Sequence, residues 1–292
     1  MRTPSQIQGC GIADRRQPRY RWLAAFFRNQ PAVWGLIVTL ALVAVAVLAP
    51  FLTPYHPLRG AGPALSLPTP AHPFGTDDLG RDVLAGILYG SRTSLLVGLS
   101  ASMISLVIGV LVGAPAGYFG GLVDDLLTRF TELFQVIPRI FLAILLVALF
   151  GQTLVVTIVA IGALSWPPSA RLLRAEFLSK RDADYVLAAR SIGVRTFRII
   201  TRQILPNALA PVVVSASLNV GGAILLEAGL AFLGLSDPNQ VSLGRTLQAA
   251  MQFLRSAWWI SVFPGLTVAM LVIAVNLVGD GINDSLNPRR SH

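Results

Sequence analysis

Charge, cysteine, histidine and lysine are all scarce in this chain. Only 13% of its 292 residues are Asp, Glu, Lys or Arg, against about a quarter in an ordinary soluble domain. Cys10 is the single cysteine, so no intrachain disulfide can form. The only histidines are His56, His72 and His292, and no Ser/His/Asp or Cys/His constellation is suggested. No G-x-x-x-x-G-K-[ST] phosphate loop occurs, so the chain is not expected to bind ATP by itself. His56, His72, Asp77, Asp78 and Asp82 are oxygen and nitrogen donors, but they lack the alternation of a calcium loop and the paired ligands of a zinc site. A metal-free turn and helix cap, with Thr76 or Asp77 capping a helix from about Leu79, is the expectation there.

Apolar residues fill the gap. They make up 54% of the chain, and the mean hydropathy is +0.66. A bilayer core needs roughly 20 apolar residues in a helix. Six spans are predicted: Val33–Leu52, about Leu95–Ala116, about Leu133–Phe150, about Leu154–Ala170, Ile204–Leu226, and one within Ser256–Gly279, with Gly151-Gln152-Thr153 as a tight turn between the third and fourth. A leader of about 30 residues and the absence of a small-residue cleavage site argue against reading the first span as a signal peptide. Net charge is +9, nearly all of it arginine, with Lys180 the only lysine. Such a balance is compatible with nucleic acid, but the cations cluster beside apolar runs instead. Arg2, Arg15, Arg16, Arg19, Arg21 and Arg28 precede the first span, and eight cations from Arg171 to Arg202 come after the fourth. The other side holds Arg59, Arg81, Arg92, Arg245 and Arg255. The positive-inside rule places both termini and the 171–206 loop in the cytoplasm. Burying that loop's eight cations at roughly 3 kcal/mol each would cost about 24 kcal/mol, so it must lie outside the hydrocarbon.

Within this loop Asp184 to Asn207 reads as helix, break, helix. Gly193 suits a left-handed helix end, and Thr196 is placed to cap the second helix. Arg195, Arg198 and Arg202 fall on one predicted face and Phe197, Ile200 and Ile204 on another. Pro206 is expected to break the pattern. The stretch resembles the EAA coupling loop of ABC importer permeases: Glu-Ala-Ala, three residues, Gly, nine residues, Ile, one residue, Leu-Pro. Ala188, Ala189, Gly193, Leu205 and Pro206 are in register, while Leu187 replaces the Glu and Gln203 the Ile. By that resemblance Tyr185, Ala188, Ala189, Gly193, Val194, Arg195, Phe197, Arg198, Leu205 and Pro206 form the contact with a separate ATPase.

The run from His72 to Leu96, with Gly75, Thr76, Asp77, Gly80, Arg81 and Asp82, is similar to the N-terminal signature of the dipeptide, oligopeptide and nickel importer subfamily. A proline-rich stretch suited to an extended path precedes it. The tail from Asn276 to Pro288 also resembles this subfamily; Gly279 and Gly281 are expected to loosen the span's end, and Asp280, Asn283 and Asp284 to cap or bind neighbouring loops. Gly229 and Gly234 are read as points of close helix approach. Asn219 and Glu227, in or near the fifth span, are candidate substrate-pathway residues. A helix–helix hydrogen bond or an interfacial charge stays open for Glu227.

The resemblance implies an all-α integral membrane protein with six transmembrane helices and the type I ABC importer permease fold. Residues 1–32 would be a cytoplasmic tail, 33–53 a peripheral first helix, 54–92 an extracytoplasmic segment, 93–283 a five-helix core and 284–292 a second cytoplasmic tail. It implies half of an ATP-driven import channel in a bacterial inner membrane, with no catalytic residue, metal or cofactor of its own. The expected partners are a second homologous permease, two ATP-binding subunits holding ATP and Mg, an extracytoplasmic substrate-binding protein and the lipid bilayer, with no nucleic acid. Peptide is the expected cargo, with nickel or glutathione as alternatives. A proton-coupled secondary transporter working through Glu227, or a membrane scaffold without transport activity, are the competing functions.

Overall fold

The computed structural model describes residues 26–286, and all regular elements among them are helices. In chain order they are α1 (Gln30–Val47), α2 (Ala49–Leu52), α3 (Val83–Phe119), α4 (Gly121–Val136), α5 (Arg139–Phe150), α6 (Leu154–Leu164), α7 (Pro167–Lys180), α8 (Asp184–Ser191), α9 (Thr196–Ile199), α10 (Leu205–Phe232), α11 (Leu243–Ala250) and α12 (Trp259–Leu286). Five stretches are long and apolar enough to cross a membrane, and the bent pair α4–α5 makes a sixth if its halves form one span.

Five of the six expected spans are present with shifted bounds, and the third is broken. At 1.5 Å per residue, the 37 residues of α3 extend about 55 Å, well beyond a hydrocarbon core of about 30 Å. The third expected span, 133–150, is not one helix. It is cut at Ile137–Pro138, where α4 and α5 meet at 83°. The 12 residues of α5 reach only about 18 Å. The fourth expected span, 154–170, instead continues to Lys180, with a break at Ser165–Trp166 ahead of two prolines. Much of the loop expected from residue 171 is therefore the far end of α7. Pro206 does not end a helix either. One wide turn over Ile200–Ile204, in which Leu205 N–H bonds to Ile200 C=O, runs directly into α10. Such a turn absorbs a proline that has no N–H to offer.

The most extensive packing is between α3 and α7. Gly109, Gly113 and Gly117 recur every fourth residue along α3, and a Cβ at Gly109 would stand 2.7 Å from Ser169 Cβ. Without side chains there, the two backbones approach to van der Waals contact, which takes over from the hydrophobic effect inside a bilayer. The packed helices enclose three buried clusters. One lies beneath the 54–82 segment (Ile87, Ile224, Leu243, Trp259, Ile260). A second joins α5 and α6 to α3 and α10 (Val97, Val147, Ile161, Leu230). A third sits at the opposite end (Leu173, Phe177, Ile199, Ile204, Val212). The first span is peripheral: α1 packs on α12 and α3, while Trp34, Ile37, Leu40 and Val47 stay exposed. Gly279 and Gly281 do not loosen α12. They let it press on Leu218 and on Ala32, and the helix runs on to Leu286. Asn29 Nδ2 donates to Asp284 Oδ2 at 3.3 Å, tying this end of α12 to α1.

Candidate coupling site

The basic stretch folds as a closed, anchored pair of helices. α8 ends at Ser191, and Gly193 lies just beyond it with φ +76°. Its N–H donates to Arg190 C=O at 3.0 Å, and Val194 N–H donates to Ala189 C=O at 3.1 Å. These two bonds close the end of the helix in the left-handed manner that a glycine favours. Thr196 does not cap the next helix. Arg195 holds the cap position without a side-chain bond, and Thr196 is the first residue of α9.

Burial divides the pair into two faces. Val186, Ala189, Ile199 and Ile204 are buried against Ala114 of α3, Leu173 and Phe177 of α7, and Ala208 and Val212 of α10, with Val194 and Leu205 partly buried beside them. On the outer face lie Tyr185, Leu187, Ile192 (81% exposed) and Phe197 (77%). Phe197 thus leaves the face it was expected to share with Ile200 and Ile204, because Ile199 takes the inward position. Ala188, Arg195, Arg198, Arg202 and Pro206 are also exposed. Arg190 lies over the Tyr118 ring at 5.2 Å, a further tie to the end of α3. The outcome is a projection with apolar knobs, a basic flank and a floor shared with α3, α7 and α10. Ile192 was missing from the expected contact set; its place immediately before a helix-ending glycine was the available signal.

At the other end of the bundle, residues 61–85 form a hydrogen-bonded clasp. Gly75 and Gly80 have φ +75° and +69°. Thr76 Oγ1 donates to Pro63 C=O at 2.6 Å and accepts from Ser66 N–H at 2.8 Å. Asp77 Oδ1 accepts from Leu79 N–H and Arg81 N–H, and its Oδ2 from Arg81 Nε at 2.6 Å. Asp82, not Thr76 or Asp77, caps the helix, which begins at Val83; its Oδ2 accepts from Ala85 N–H at 2.7 Å. His72 Nδ1 lies 3.0 Å from Asp82 Oδ1, both residues buried. Trp259 Nε1 donates to Thr76 C=O, and the Phe74 ring stacks on Phe263, so the clasp is fastened to the start of α12. Gly75, Thr76, Asp77, Gly80, Arg81 and Asp82 are thus brought together, each spent on holding the segment's shape. No cluster of three or more His, Cys, Asp or Glu suited to a metal occurs among the described residues.

The two pathway candidates do not meet. Asn219 Nδ2 faces Ser169 Oγ of α7 at 3.5 Å. Glu227 is buried and accepts from Ser94 Oγ of α3 at 2.9 Å, a helix–helix bond. It borders a cavity of about 10 Å³ that Thr93, Thr157, Asp237 and Ser242 also line, room for one water. Gly229 makes no close helix contact. Gly234 follows α10 at φ +82°, and a Cβ there would stand 3.2 Å from Gln248 Nε2 of α11.

Comparison with known proteins adds to this geometry. Residues 105–292 match the family described as binding-protein-dependent transport system inner membrane component. Residues 19–68 match the N-terminal TM domain of oligopeptide transport permease C. The chain is 38% identical over 280 residues to the dipeptide transport system permease protein DppC of Alkalihalophilus pseudofirmus, covering 92% of this chain and 90% of the relative. It is 37% identical to the di/tripeptide transport system permease protein DppC of Pseudomonas aeruginosa, over 93% and 92%, and 38% identical to the oligopeptide transport system permease protein OppC of Haemophilus influenzae, over 90% and 86%. A chain of the inward-facing MetNI methionine ABC transporter superposes with a TM-score of 0.56 at 18% identity, covering 69% of this chain and 97% of that one, a likeness of fold.

Proposed function

Because this chain belongs to the family of binding-protein-dependent transport system inner membrane components, and is a permease subunit of an ABC importer, we propose that it forms half of a channel carrying dipeptides or short oligopeptides across a bacterial inner membrane. A second, similar permease supplies the other half. Two separate subunits hold ATP and Mg, and an extracytoplasmic binding protein delivers the peptide and sets most of the selectivity. Both termini and the 184–206 pair face the cytoplasm.

One observation carries this reading: exposed apolar knobs stand on a helix pair whose underside is built into the cores of α7 and α10. Tyr185, Leu187, Ile192 and Phe197 seat in a groove of the ATPase, in the manner of a helix laid into a groove. Arg195, Arg198 and Arg202 meet acidic groups at its rim. When the ATPases close on ATP, the seated pair moves as one piece and carries α7 and α10 with it. Nucleotide binding thereby favours one orientation of the channel, and hydrolysis releases it.

Gly193→Asp tests this. A Cβ at residue 193 meets nothing within 4 Å, so the substitution adds no overlap inside the chain. It strains a φ of +76° and places a charged side chain where the partner docks. Membrane insertion should remain. In proteoliposomes containing the complete assembly, ATP-driven uptake of a labelled dipeptide should fall about 10-fold or more while ATP hydrolysis continues, a coupling loss on the scale of 1–3 kcal/mol. Wild-type uptake by the variant would reject the coupling role. Wild-type uptake should also be indifferent to a proton uncoupler, and collapse on adding one would favour secondary transport.

A further inference from the structure

Helix α4 is fastened to α7 in a way that coupling alone does not require. Arg174 of α7 donates from Nε and Nη2 to the two carboxylate oxygens of Asp124 on α4, the Nη2 bond being 2.6 Å. This fork fixes direction as well as distance. Thr128 Oγ1, one turn along α4, donates to Asp124 Oδ1 at 3.2 Å and holds the carboxylate in place. A second fastening lies two turns nearer the start of α7. The Trp166 ring meets Phe130 (5.8 Å between centroids, stacked) and Phe134 (5.4 Å, edge-on). Asp124 thus pairs with a residue in the second half of α7, and Phe130 and Phe134 with the residue that immediately precedes that helix, so α4 runs antiparallel along α7.

The two ends of this clamped unit differ. Past Lys180, residues 181–183 lead straight to α8, with Ala183 N–H bonded to Lys180 C=O and Val186 N–H to Ala183 C=O. Past Val136 the chain takes two extended residues, Ile137 (φ −91°, ψ 127°) and Pro138 (φ −56°, ψ 127°), before α5 turns away at 83°. One end is joined to the coupling pair, and the other is a bend where dihedral angles can change without breaking a helix. The Asp124 and Arg174 side chains are 13% and 35% exposed, shielded but still reachable by water.

We propose that Asp124 and Arg174 are positioning residues that clamp α4 to α7, so that movement of the coupling pair swings α4 about Ile137–Pro138 and changes the angle of the broken span. The proposal rests on the coupling function argued above. A merely structural ion pair would lower stability when cut but would leave the peptide carried per ATP unchanged.

The test uses the complete assembly in proteoliposomes, with Asp124→Asn, Arg174→Gln and the exchange Asp124→Arg/Arg174→Asp. Peptide uptake and ATP hydrolysis are followed together, and the thermal midpoint of the purified complex is recorded. Each single variant should carry about 10-fold less peptide per ATP, a change of the size that coupling residues produce, at a near-wild-type midpoint. The exchange should recover part of the loss. In parallel, spin labels at Leu126 and Leu149, with Cys10→Ser as background, read the distance across the bend. It should change on trapping with ATP and vanadate in the wild type and stay fixed in Asp124→Asn. If the wild type is tightly coupled, an unchanged peptide-to-ATP ratio in the single variants would overturn the clamp alone, as would a loss that the exchange does not relieve or a distance change that survives Asp124→Asn. A wild type that hydrolyses ATP without uptake would instead overturn the transport reading, and the distance measurement would still decide the clamp.

Discussion

Asp82 commits both carboxylate oxygens, one to Ala85 N–H as the cap of α3 and one to His72. Removing it leaves a buried imidazole without its acceptor and an orphan amide at the head of the longest helix. Asp82→Ala should therefore cost about 1–3 kcal/mol and lower the thermal midpoint in detergent by several degrees. Asp82→Asn, which keeps a cap oxygen, should lose less. Equal losses in the two variants would show that the cap contributes little. The acids here divide by what their oxygens can reach. From the sequence Asp77 is a candidate cap, Asp82 a signature residue and Glu227 a pathway or helix–helix candidate. Only the fold shows that Asp77 closes a turn, that Asp82 caps a helix and that Glu227 bonds across to Ser94.

Among the elements, the 184–206 pair divides its apolar side chains between a buried and an exposed face. Ile199 is 1% exposed and Phe197 77%, although only one residue stands between them. Ile199→Ala should cost about 2–4 kcal/mol as a cavity in the floor. Phe197→Ala should change stability by less than about 0.5 kcal/mol, yet weaken retention of the ATPase subunits in a pull-down from detergent. Retention as strong as wild type would remove Phe197 from the contact. Helical spacing put Phe197, Ile200 and Ile204 on one face. The wide turn at Ile200–Ile204 adds a residue to the register and brings Ile199 to the same buried side as Ile204. The break in α4–α5 was similarly hidden. Ile137-Pro138 was visible, but an apolar run with a proline near one end reads equally well as a straight span. The 83° bend depends on what α4 packs against.

For the whole molecule, orientation is the consequence open to the simplest experiment. Cys10 is the single thiol and lies outside the described residues. A membrane-impermeant maleimide should leave it unlabelled in intact cells and label it once the inner membrane is permeabilised. Labelling of intact cells would invert the assigned topology and set the 184–206 pair on the wrong side for an ATPase. The six apolar runs, the arginine-rich helix-break-helix with its Gly193 and Leu205-Pro206 spacing, and the absence of a phosphate loop were all legible along the chain. Each depends on residue type and short-range spacing: how long a run avoids charge, where a glycine permits φ above zero, which donors are missing. Which residues carry load across the bundle was not legible. Asp124 and Arg174 stand 50 positions apart, and Ser94 and Glu227 stand 133 apart. Hydropathy and helical periodicity act over a few turns, whereas these pairs exist only once the helices have packed, with Gly109, Gly113 and Gly117 admitting the backbone of α7.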